Sequence, residues 1–228
     1  MLDRQQIAGD MHEKGYALVK EVLPREVCGQ FVADYDNPGI YRKTVVMERH
    51  RFGLGEYKYF DYPLPELIQA ARESIFPLLT PIANDWMKSL RIDIRFPASF
   101  EEFRDRCHEQ GQVKPTPLIL KYGVGGFNTM HQDLYGDVYF PIQLALFLNE
   151  PDQDYTGGEF VLTQQTPRAQ SKAIVLRPGR GDVIIFTTAF RPMRGTNGFY
   201  RANMRHGVSE VTSGERHTLG VIFHDAAS

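Results

Sequence analysis

Apolar residues in the first half of the chain recur mostly at the spacing of α-helices. Proline at a first turn and glycine directly after a last turn mark where several of these helices begin and end. The helices predicted in this way span residues 3–14, 24–36, 65–90 and 99–110, and a short strand is predicted at 16–19. Because proline lacks the N–H that the interior of a helix needs, we expect Pro77 and Pro81 to divide the third helix into pieces.

From Thr116 onward the pattern changes to short runs of apolar residues, separated by Gly, Pro, Asn and Asp. The predicted strands cover residues 118–120, 142–148, 159–162, 173–176, 182–186 and 219–223. Many short strands with turn residues between them are typical of a β-sandwich or barrel. The predicted fold is therefore mainly β with packed helices. We expect a double-stranded β-helix (a cupin-like jelly roll) over residues 115–226, with mostly helical support over 1–114, in a single domain spanning 1–228.

The composition is that of an ordinary soluble globular protein, with 42% hydrophobic and 24% charged residues. A net charge of −2 argues against a protein that is basic overall, although it does not exclude a local basic patch. Cys28 and Cys107 are too few for a disulfide framework and indicate a reduced compartment. The sequence has no apolar leader and no apolar run near the ~20 residues that cross a bilayer. We therefore expect a cytoplasmic protein without a membrane partner.

Two histidines and one aspartate in the β-rich half form a candidate metal site. His131 and Asp133 are two residues apart, so on a strand they point to the same face, and His206 comes from a distant strand. Two imidazoles and one carboxylate form the facial triad that binds non-haem Fe(II) and leaves positions open for other ligands. A closed structural zinc site would need a fourth protein ligand, usually sulfur, and both cysteines lie outside this half.

Arg216, ten residues beyond His206, is a candidate anion-binding residue. Its guanidinium could hold the far carboxylate of a dicarboxylic cosubstrate through two parallel hydrogen bonds. Thr218 points to the same side of a strand and can add a hydroxyl donor. Gln143 is the only polar residue in an apolar run, so its amide either faces solvent at a sheet edge or reaches the cosubstrate.

These residues occur within motifs whose order and spacing resemble the Fe(II)/2-oxoglutarate-dependent dioxygenases. The motifs are Tyr122-Gly-Val-Gly-Gly-Phe-Asn-Thr-Met-His131-Gln-Asp133, Gly157-Gly-Glu-Phe160, Pro178-Gly-Arg-Gly-Asp-Val-Ile-Ile-Phe186, His206 and Arg216-His-Thr218. The Tyr-Gly-x-Gly-Gly segment is most similar to the prolyl-hydroxylase branch. Residues 191–226 resemble a bacterial 2-oxoglutarate oxygenase family labelled as acting on damaged nucleic acid. The resemblance covers about residues 115–226.

The resemblance implies an enzyme that uses Fe(II), 2-oxoglutarate and O₂ to hydroxylate a substrate C–H bond, with release of succinate and CO₂. The implied iron ligands are His131, Asp133 and His206. Arg216 and Thr218 match an Arg-x-Ser/Thr pair that holds the far carboxylate of 2-oxoglutarate in this family. Tyr122 matches a tyrosine that donates to the same carboxylate in prolyl hydroxylases.

The substrate is left open by the sequence. Residues 191–206 are rich in arginine and aromatic residues, so Arg194, Arg201 and Tyr200 could line the pocket entrance and bind damaged DNA or RNA. Hydroxylation of an alkyl group on a base would release it as formaldehyde. A second basic and aromatic stretch, residues 42–59, could form a lid. The alternatives are hydroxylation of a protein (prolyl-type) or of a small molecule and, more weakly, a non-catalytic cupin-like metal-binding sensor.

Overall fold

The helices of the protein pack on one face of a β-sheet, and a second sheet covers the other face. The computed structural model describes residues 3–227. The helices are α1 (Arg4–Lys14), α2 (Arg25–Ala33), α3 (Glu66–Ser89) and α4 (Phe100–Glu109), with 3-10 turns at Asp34–Asp36, Pro38–Ile40 and Met47–His50. As predicted, α1 ends at Gly15, which adopts a left-handed conformation with φ of 80°.

The strands form two antiparallel sheets and a small ribbon. In chain order they are β1 (Tyr16–Val19), β2 (Tyr41–Val46), β3 (Gly53–Leu54), β4 (Glu56–Phe60), β5 (Leu118–Tyr122), β6 (Phe127–His131), β7 (Ile142–Phe147), β8 (Tyr155–Gly157), β9 (Phe160–Gln165), β10 (Lys172–Leu176), β11 (Val183–Thr187), β12 (Phe190–Gly195), β13 (Gly198–Val208), β14 (Val211–Gly214) and β15 (Arg216–Val221). The major sheet has the order β1-β11-β7-β15-β5-β4-β2. The minor sheet has the order β10-β9-β13-β6-β3, with β12 paired to β13, and β14 and β8 form the ribbon. Two facing antiparallel sheets of this kind form the jelly-roll fold predicted from the sequence.

Strand alternation divides the apolar residues of the major sheet between two cores. Leu144, Leu146 and Leu219 face the helices and pack in one cluster with Phe76 of α3 and Phe103 of α4. The opposite face of the sheet belongs to a second cluster between the two sheets. Its buried members are Ala145, Phe147, Phe160, Leu162, Ile184, Phe186 and Met204. The candidate functional residues lie in this second layer.

α3 is one continuous helix, so the prediction that Pro77 and Pro81 divide it is wrong. The two prolines are four residues apart and lie on the exposed side of the helix. There, water can bind the carbonyl groups that proline leaves without a donor. The opposite side buries apolar residues along the whole helix, among them Ile68, Phe76 and Trp86, and this packing holds the helix together. Within residues 3–227, neither α3 nor any other helix is both long and apolar enough to span a bilayer.

The first third of the chain contributes more strand than its pattern predicts. β1 agrees with the prediction, but β2, β3 and β4 are also strands, and β4 pairs with β5 on the side of the major sheet opposite β1. The adjacent charged residues Arg42 and Lys43 interrupt the alternation of β2, which hides that strand in the sequence. The stretch 42–59 is therefore not a separate lid. Its two ends are strands of the major sheet, and only the segment between them reaches the minor sheet, through β3.

Candidate metal and cosubstrate site

The three residues of the predicted triad lie close together between the two sheets. His131 ends β6, and His206 lies directly opposite it on the neighbouring strand β13. The two imidazole rings are 4.2 Å apart between centroids. Asp133 follows β6 in a loop, and one ligand atom from each of the three residues lies within 4.8 Å of the others. This spacing is short enough for one metal ion to touch all three side chains.

A hydrogen bond to His131 and an aromatic contact to His206 orient the two histidines toward the aspartate. His131 Nδ1 lies 2.8 Å from the carbonyl oxygen of Thr129, which makes Nδ1 the protonated nitrogen and leaves the Nε2 lone pair free. That Nε2 atom is 3.5 Å from Asp133 Oδ1, and His206 Nε2 is 3.2 Å from Asp133 Oδ2. Phe186 contacts the His206 ring edge to face, with a centroid distance of 4.9 Å, and limits its rotation. Both Nε2 atoms thus point at the same carboxylate.

Asp133 is itself held at both oxygens. The Tyr135 hydroxyl donates to Oδ1 at 2.9 Å, and the Gln143 amide nitrogen donates to Oδ2 at 3.0 Å. Gln143 lies on β7 and is buried, so the interpretation that its amide faces solvent is wrong. It lines the same cavity as the triad, but its Nε2 donates to the aspartate. The two donors leave the carboxylate little freedom to rotate.

The charges within this group are strongly coupled. Burial alone would raise the pKa of Asp133, but His206 and His131 hold it well below the usual aspartate value. Burial tends to lower the pKa of His131, and Asp133 outweighs that effect and raises it. Burial and the neighbouring His131 lower the pKa of His206. Since two adjacent imidazoles cannot both carry a proton without strong repulsion, at most one of them is protonated beside the ionised carboxylate, and a bound metal would displace that proton.

This donor set fits a divalent transition metal with open coordination positions. Two neutral imidazole nitrogens and one carboxylate suit non-haem Fe(II). Cys28 and Cys107 are buried in α2 and α4, and neither lines the cavity, so no sulfur ligand is available to close the site as in structural zinc. His206 Nδ1 has no hydrogen-bond partner among residues 3–227. Its Nε2 faces Asp133, so that nitrogen is the one placed for a metal.

A buried guanidinium lies in the same cavity as the triad. Arg216 is only 1% exposed and sits on β15, directly opposite Tyr122 on β5. Within residues 3–227, its Nε and Nη1 atoms have no hydrogen-bond partner. The rings of Tyr122, Phe147 and Tyr155 surround the guanidinium carbon at 5.5, 5.3 and 6.0 Å. Gly158 makes room for the side chain, because a Cβ there would lie 2.9 Å from Arg216 Cδ. Burial of a charge without a partner is costly, so this arrangement calls for an anion.

Two neutral donors accompany the guanidinium. Thr218 Oγ1 is buried and has no hydrogen-bond partner among residues 3–227. Tyr122 accepts a hydrogen bond from Asn128 at 3.2 Å, so its own hydroxyl proton is free to donate. Burial raises the pKa of Tyr122 to about 12, which keeps that proton in place. Arg216, Thr218, Tyr122 and the triad line one continuous cavity. A dicarboxylate that reaches the metal at one end and Arg216 at the other fits this layout.

The arginines of the arginine-rich segment do not border this cavity. Residues 191–206 form the hairpin of β12 and β13, in which Arg201 points away from the face that carries His206. Arg201 lies instead over the ring of Phe190 at 4.7 Å, and Arg194 is exposed near the far end of the hairpin. Tyr200 contacts Met193. None of the three predicted substrate residues lines the triad cavity or the adjoining cleft, so the geometry does not place them at its entrance.

Several residues of the site were not predicted from the sequence. Tyr135 continues the alternation His131-x-Asp133-x-Tyr135, a signal that could have found it. Asn128 and the aromatic residues of the adjoining cleft give no such signal, because their role depends on how β3 and β6 pair. Gln143 stands out in the sequence, yet only the fold brings it to Asp133.

Comparison of the sequence with known families and proteins agrees with this geometry. Residues 55–226 match the model of a family described as "Oxygenase, catalysing oxidative methylation of damaged DNA". Uncharacterized protein Rv2227 of Mycobacterium tuberculosis is 43% identical over 168 residues, which make up 74% of this chain and 72% of that protein. The family match includes the whole of the predicted jelly-roll core, residues 115–226.

Solved structures of similar shape are oxygenases as well. A prolyl-4-hydroxylase from Pseudomonas putida has a TM-score of 0.57 at 15% identity and covers 98% of this chain and 99% of its own. An oxidoreductase of the 2OG-Fe(II) oxygenase family from Burkholderia pseudomallei has a TM-score of 0.54 at 16% identity, covering 100% of this chain and 93% of its own. At these identities the structures establish the shared fold. Because the family match spans well over half of the sequence, the chain belongs to this oxygenase family, and it shares its fold with 2OG-Fe(II) oxygenases.

Proposed function

We propose that His131, Asp133 and His206 hold the catalytic Fe(II), and that Arg216 binds the far carboxylate of 2-oxoglutarate. The observation that carries this proposal is the buried guanidinium, which has two unpartnered nitrogens and shares a cavity with the triad. Thr218 and Tyr122 add two neutral donors at the same end. A ligand with one carboxylate at each end satisfies both groups at once, whereas a monocarboxylate leaves one of them bare.

The remaining residues of the cavity keep the reacting groups in place. Tyr135 and Gln143 hold the two oxygens of Asp133, so the carboxylate presents a fixed direction to its ligand. Phe160, Phe186 and Ala145 form apolar walls that exclude water from the cavity. When bound, Fe(II), 2-oxoglutarate and O₂ supply the oxidation, in which one oxygen atom enters succinate and the other enters a substrate C–H bond.

For the substrate, we propose a methylated base in damaged nucleic acid. Oxygenation of a methyl carbon on a ring nitrogen gives a hydroxymethyl group, which leaves as formaldehyde and restores the base. The description of the matching family supports this substrate class. A second support is a cleft beside the triad, which is lined by Phe52, Tyr57 and Tyr135 and reaches His131 and Asp133. Flat aromatic walls of this kind suit a base.

The experiment that tests the proposal combines product analysis with metal binding. The protein, reconstituted with Fe(II), is incubated with 2-oxoglutarate and either methylated single-stranded oligonucleotides or proline-containing peptides. We expect succinate and formaldehyde in equal amounts with a methylated oligonucleotide. Succinate coupled to peptide hydroxylation, with no formaldehyde from any oligonucleotide, would overturn the substrate proposal and favour a protein hydroxylase.

Substitutions in the triad test the metal assignment separately. We expect Asp133→Ala and His206→Ala to lose Fe(II) binding and turnover while the fold survives. Asp137→Ala is the matched control, because Asp137 is an exposed aspartate in the same loop that contributes no ligand atom to the triad. Fe(II) bound by either triad variant as tightly as by the parent would remove that residue from the metal site.

A further inference from the structure

A short basic segment lies beside the metal-binding triad. Residues 47–52, here called the 47–52 loop, connect β2 to β3 and carry the sequence Met-Glu-Arg-His-Arg-Phe. β3 pairs with β6, the strand that ends at His131. The carbonyl oxygen of Phe52 accepts hydrogen bonds from both the backbone N–H and the hydroxyl of Thr129, each at 2.9 Å. Since Thr129 is two residues before His131, the loop is fixed next to the metal ligand.

A glycine makes this close approach possible. Gly53 has a φ of 143°, and a Cβ at this position would overlap the carbonyl group of Phe127 on β6. Any other residue would push the strand pair apart. The position of the loop beside β6 is therefore built into the backbone of β3.

The loop combines positive charge with an exposed aromatic ring. Arg49, His50 and Arg51 are exposed, and the Phe52 ring is 45% exposed. The rings of His50 and Phe52 stack at a centroid distance of 5.3 Å with an interplanar angle of 21°. Glu48, the only acidic residue of the loop, accepts a hydrogen bond from the backbone of Gly55. The loop thus presents two guanidinium groups and a flat ring toward solvent.

The cleft next to the triad leads from this loop to the metal ligands. Phe52, Tyr57 and Tyr135 line it together with His131 and Asp133. Two further large apolar side chains are exposed nearby in the chain, Phe127 at the start of β6 and Leu134 directly after Asp133. These side chains add exposed apolar surface to the segments just before and just after the metal ligands.

We propose that the 47–52 loop is the edge of the oxygenase that binds single-stranded nucleic acid. Arg49 and Arg51 contact backbone phosphates, and Phe52 stacks on the base next to the methylated one, which enters the cleft toward the triad. Charge complementarity supports this occupant, because guanidinium groups beside a stacking ring match phosphates beside bases. The inference rests on the proposed function, and it assigns the contact to this loop instead of the β12–β13 hairpin.

Binding of a labelled oligonucleotide to the protein and its variants tests this assignment. Fluorescence anisotropy is measured with a fluorescein-labelled 15-residue single-stranded DNA that carries one 1-methyladenine. The protein holds Fe(II) and 2-oxoglutarate under anaerobic conditions, so that the substrate binds without turnover. Titrations at several salt concentrations give the slope of log Kd against log salt.

We expect Arg49→Gln and Arg51→Gln each to weaken binding at low salt and to reduce the salt slope by about 0.7. Phe52→Ala is expected to weaken binding about tenfold at every salt concentration, and Phe52→Trp is expected to restore it. Lys172→Gln is the matched control. Lys172 is exposed on β10, which is separated from β6 by two strands of the minor sheet. Arg201→Gln tests whether the β12–β13 hairpin contributes to oligonucleotide binding.

The outcomes separate this inference from the proposed function. Loss of affinity and salt slope in the loop variants, with Lys172→Gln and Arg201→Gln near the parent, supports the loop. If the parent binds and the loop variants bind equally well while Arg201→Gln does not, the loop assignment is overturned and the nucleic-acid substrate stands. If the parent binds the oligonucleotide no more tightly than an acidic control protein, the substrate proposal fails and the inference fails with it.

Discussion

Two arginines of this protein are equally buried, and they differ in what surrounds them. Arg72 on α3 is 0% exposed, and Arg216 on β15 is 1% exposed. The Arg72 guanidinium donates to Asp225 Oδ1 at 2.7 Å and to the Phe223 carbonyl at 2.6 Å, and it also donates to the Tyr62 hydroxyl at 3.1 Å. Only its Nε lacks a partner among residues 3–227. Arg72 therefore belongs to a closed ion pair that fastens the chain after β15 to α3.

Arg216 is surrounded instead by aromatic rings and by the Thr218 hydroxyl. Within residues 3–227, two of its nitrogens and the nearby Thr218 hydroxyl have no hydrogen-bond partner. The comparison shows that burial alone does not separate a structural charge from a functional one. A structural guanidinium carries its counterion within the fold, whereas a binding guanidinium leaves its donors for a ligand.

The comparison predicts the largest loss of stability for the arginine with protein partners. Arg72→Leu removes the guanidinium from the buried Asp225 carboxylate and leaves it with the Tyr62 hydroxyl and His108, so we expect the free energy of unfolding to fall by about 3–5 kcal/mol. Urea unfolding followed by circular dichroism measures it. The double variant Arg72→Leu with Asp225→Leu should recover much of the loss, because it removes both charges. A loss below about 1 kcal/mol in the single variant would contradict the structural role.

Arg216→Leu should show the opposite behaviour. The KM for 2-oxoglutarate is expected to rise about 100-fold or more, since charged hydrogen bonds contribute about 1.5–3 kcal/mol each. Without 2-oxoglutarate, the free energy of unfolding should change by less than about 1 kcal/mol, because an apolar residue replaces a charge that has no partner. Succinate formation and urea unfolding measure the two quantities. A large loss of stability with an unchanged KM would place Arg216 in the same class as Arg72.

The donors to Asp133 should have smaller effects than either arginine. Tyr135→Phe and Gln143→Leu each remove one hydrogen bond to a carboxylate oxygen, and we expect each to weaken Fe(II) binding about 10- to 100-fold. A competition titration with a metal chelator measures the affinity. Tyr139→Phe serves as the control, because Tyr139 lies in the same loop but outside the triad cavity. Unchanged Fe(II) affinity in both variants would show that Asp133 binds the metal without help from these two hydrogen bonds.

A pH dependence tests the other face of β15. His217 points away from the cavity, donates from Nδ1 toward Asn149 at 3.2 Å, and has its pKa lowered to about 4, mainly by burial. The unfolded histidine, with a pKa near 6.5, binds a proton before the folded one does. Stability due to His217 is therefore lost as pH falls from about 6.5 toward 4. When the pH falls from 7.5 to 5.5, we expect the free energy of unfolding of His217→Gln to decrease by about 1 kcal/mol less than that of the parent, as measured by urea unfolding. Parallel curves for the two proteins would contradict this.

The sequence predicts the chemistry of the site better than its surroundings. The residue types and spacings of the site are visible in the sequence, and strand alternation predicts which of these side chains share a face. The jelly roll and the cavity therefore follow from local rules for the residues His131, Asp133, His206 and Arg216. The hairpin arginines show where such rules fail. A strand exposes every second residue, and Arg201 shares the sequence neighbourhood of His206 but occupies the other face.

Long-range packing accounts for the other differences. Pro77 and Pro81 break a helix in isolation, yet the buried side of α3 holds it intact. Gln143 looks like an anomaly in an apolar strand until the fold brings it to Asp133, 10 residues away in the chain. The 47–52 loop lies near the metal ligands only because β3 pairs with β6. β3 is two residues long, which is too short to be predicted as a strand from the sequence.

The measurement that tests the central claim most directly is a thermodynamic cycle between Arg216 and the far carboxylate of the cosubstrate. Calorimetry under anaerobic conditions gives the affinity of the Fe(II)-loaded parent and of Arg216→Leu for 2-oxoglutarate and for 2-oxobutanoate, which lacks that carboxylate. We predict that the parent binds 2-oxoglutarate about 100-fold more tightly than 2-oxobutanoate, and that Arg216→Leu binds the two with similar affinity. If Arg216→Leu keeps the full preference for 2-oxoglutarate, a different residue binds the carboxylate and the account of the site is wrong.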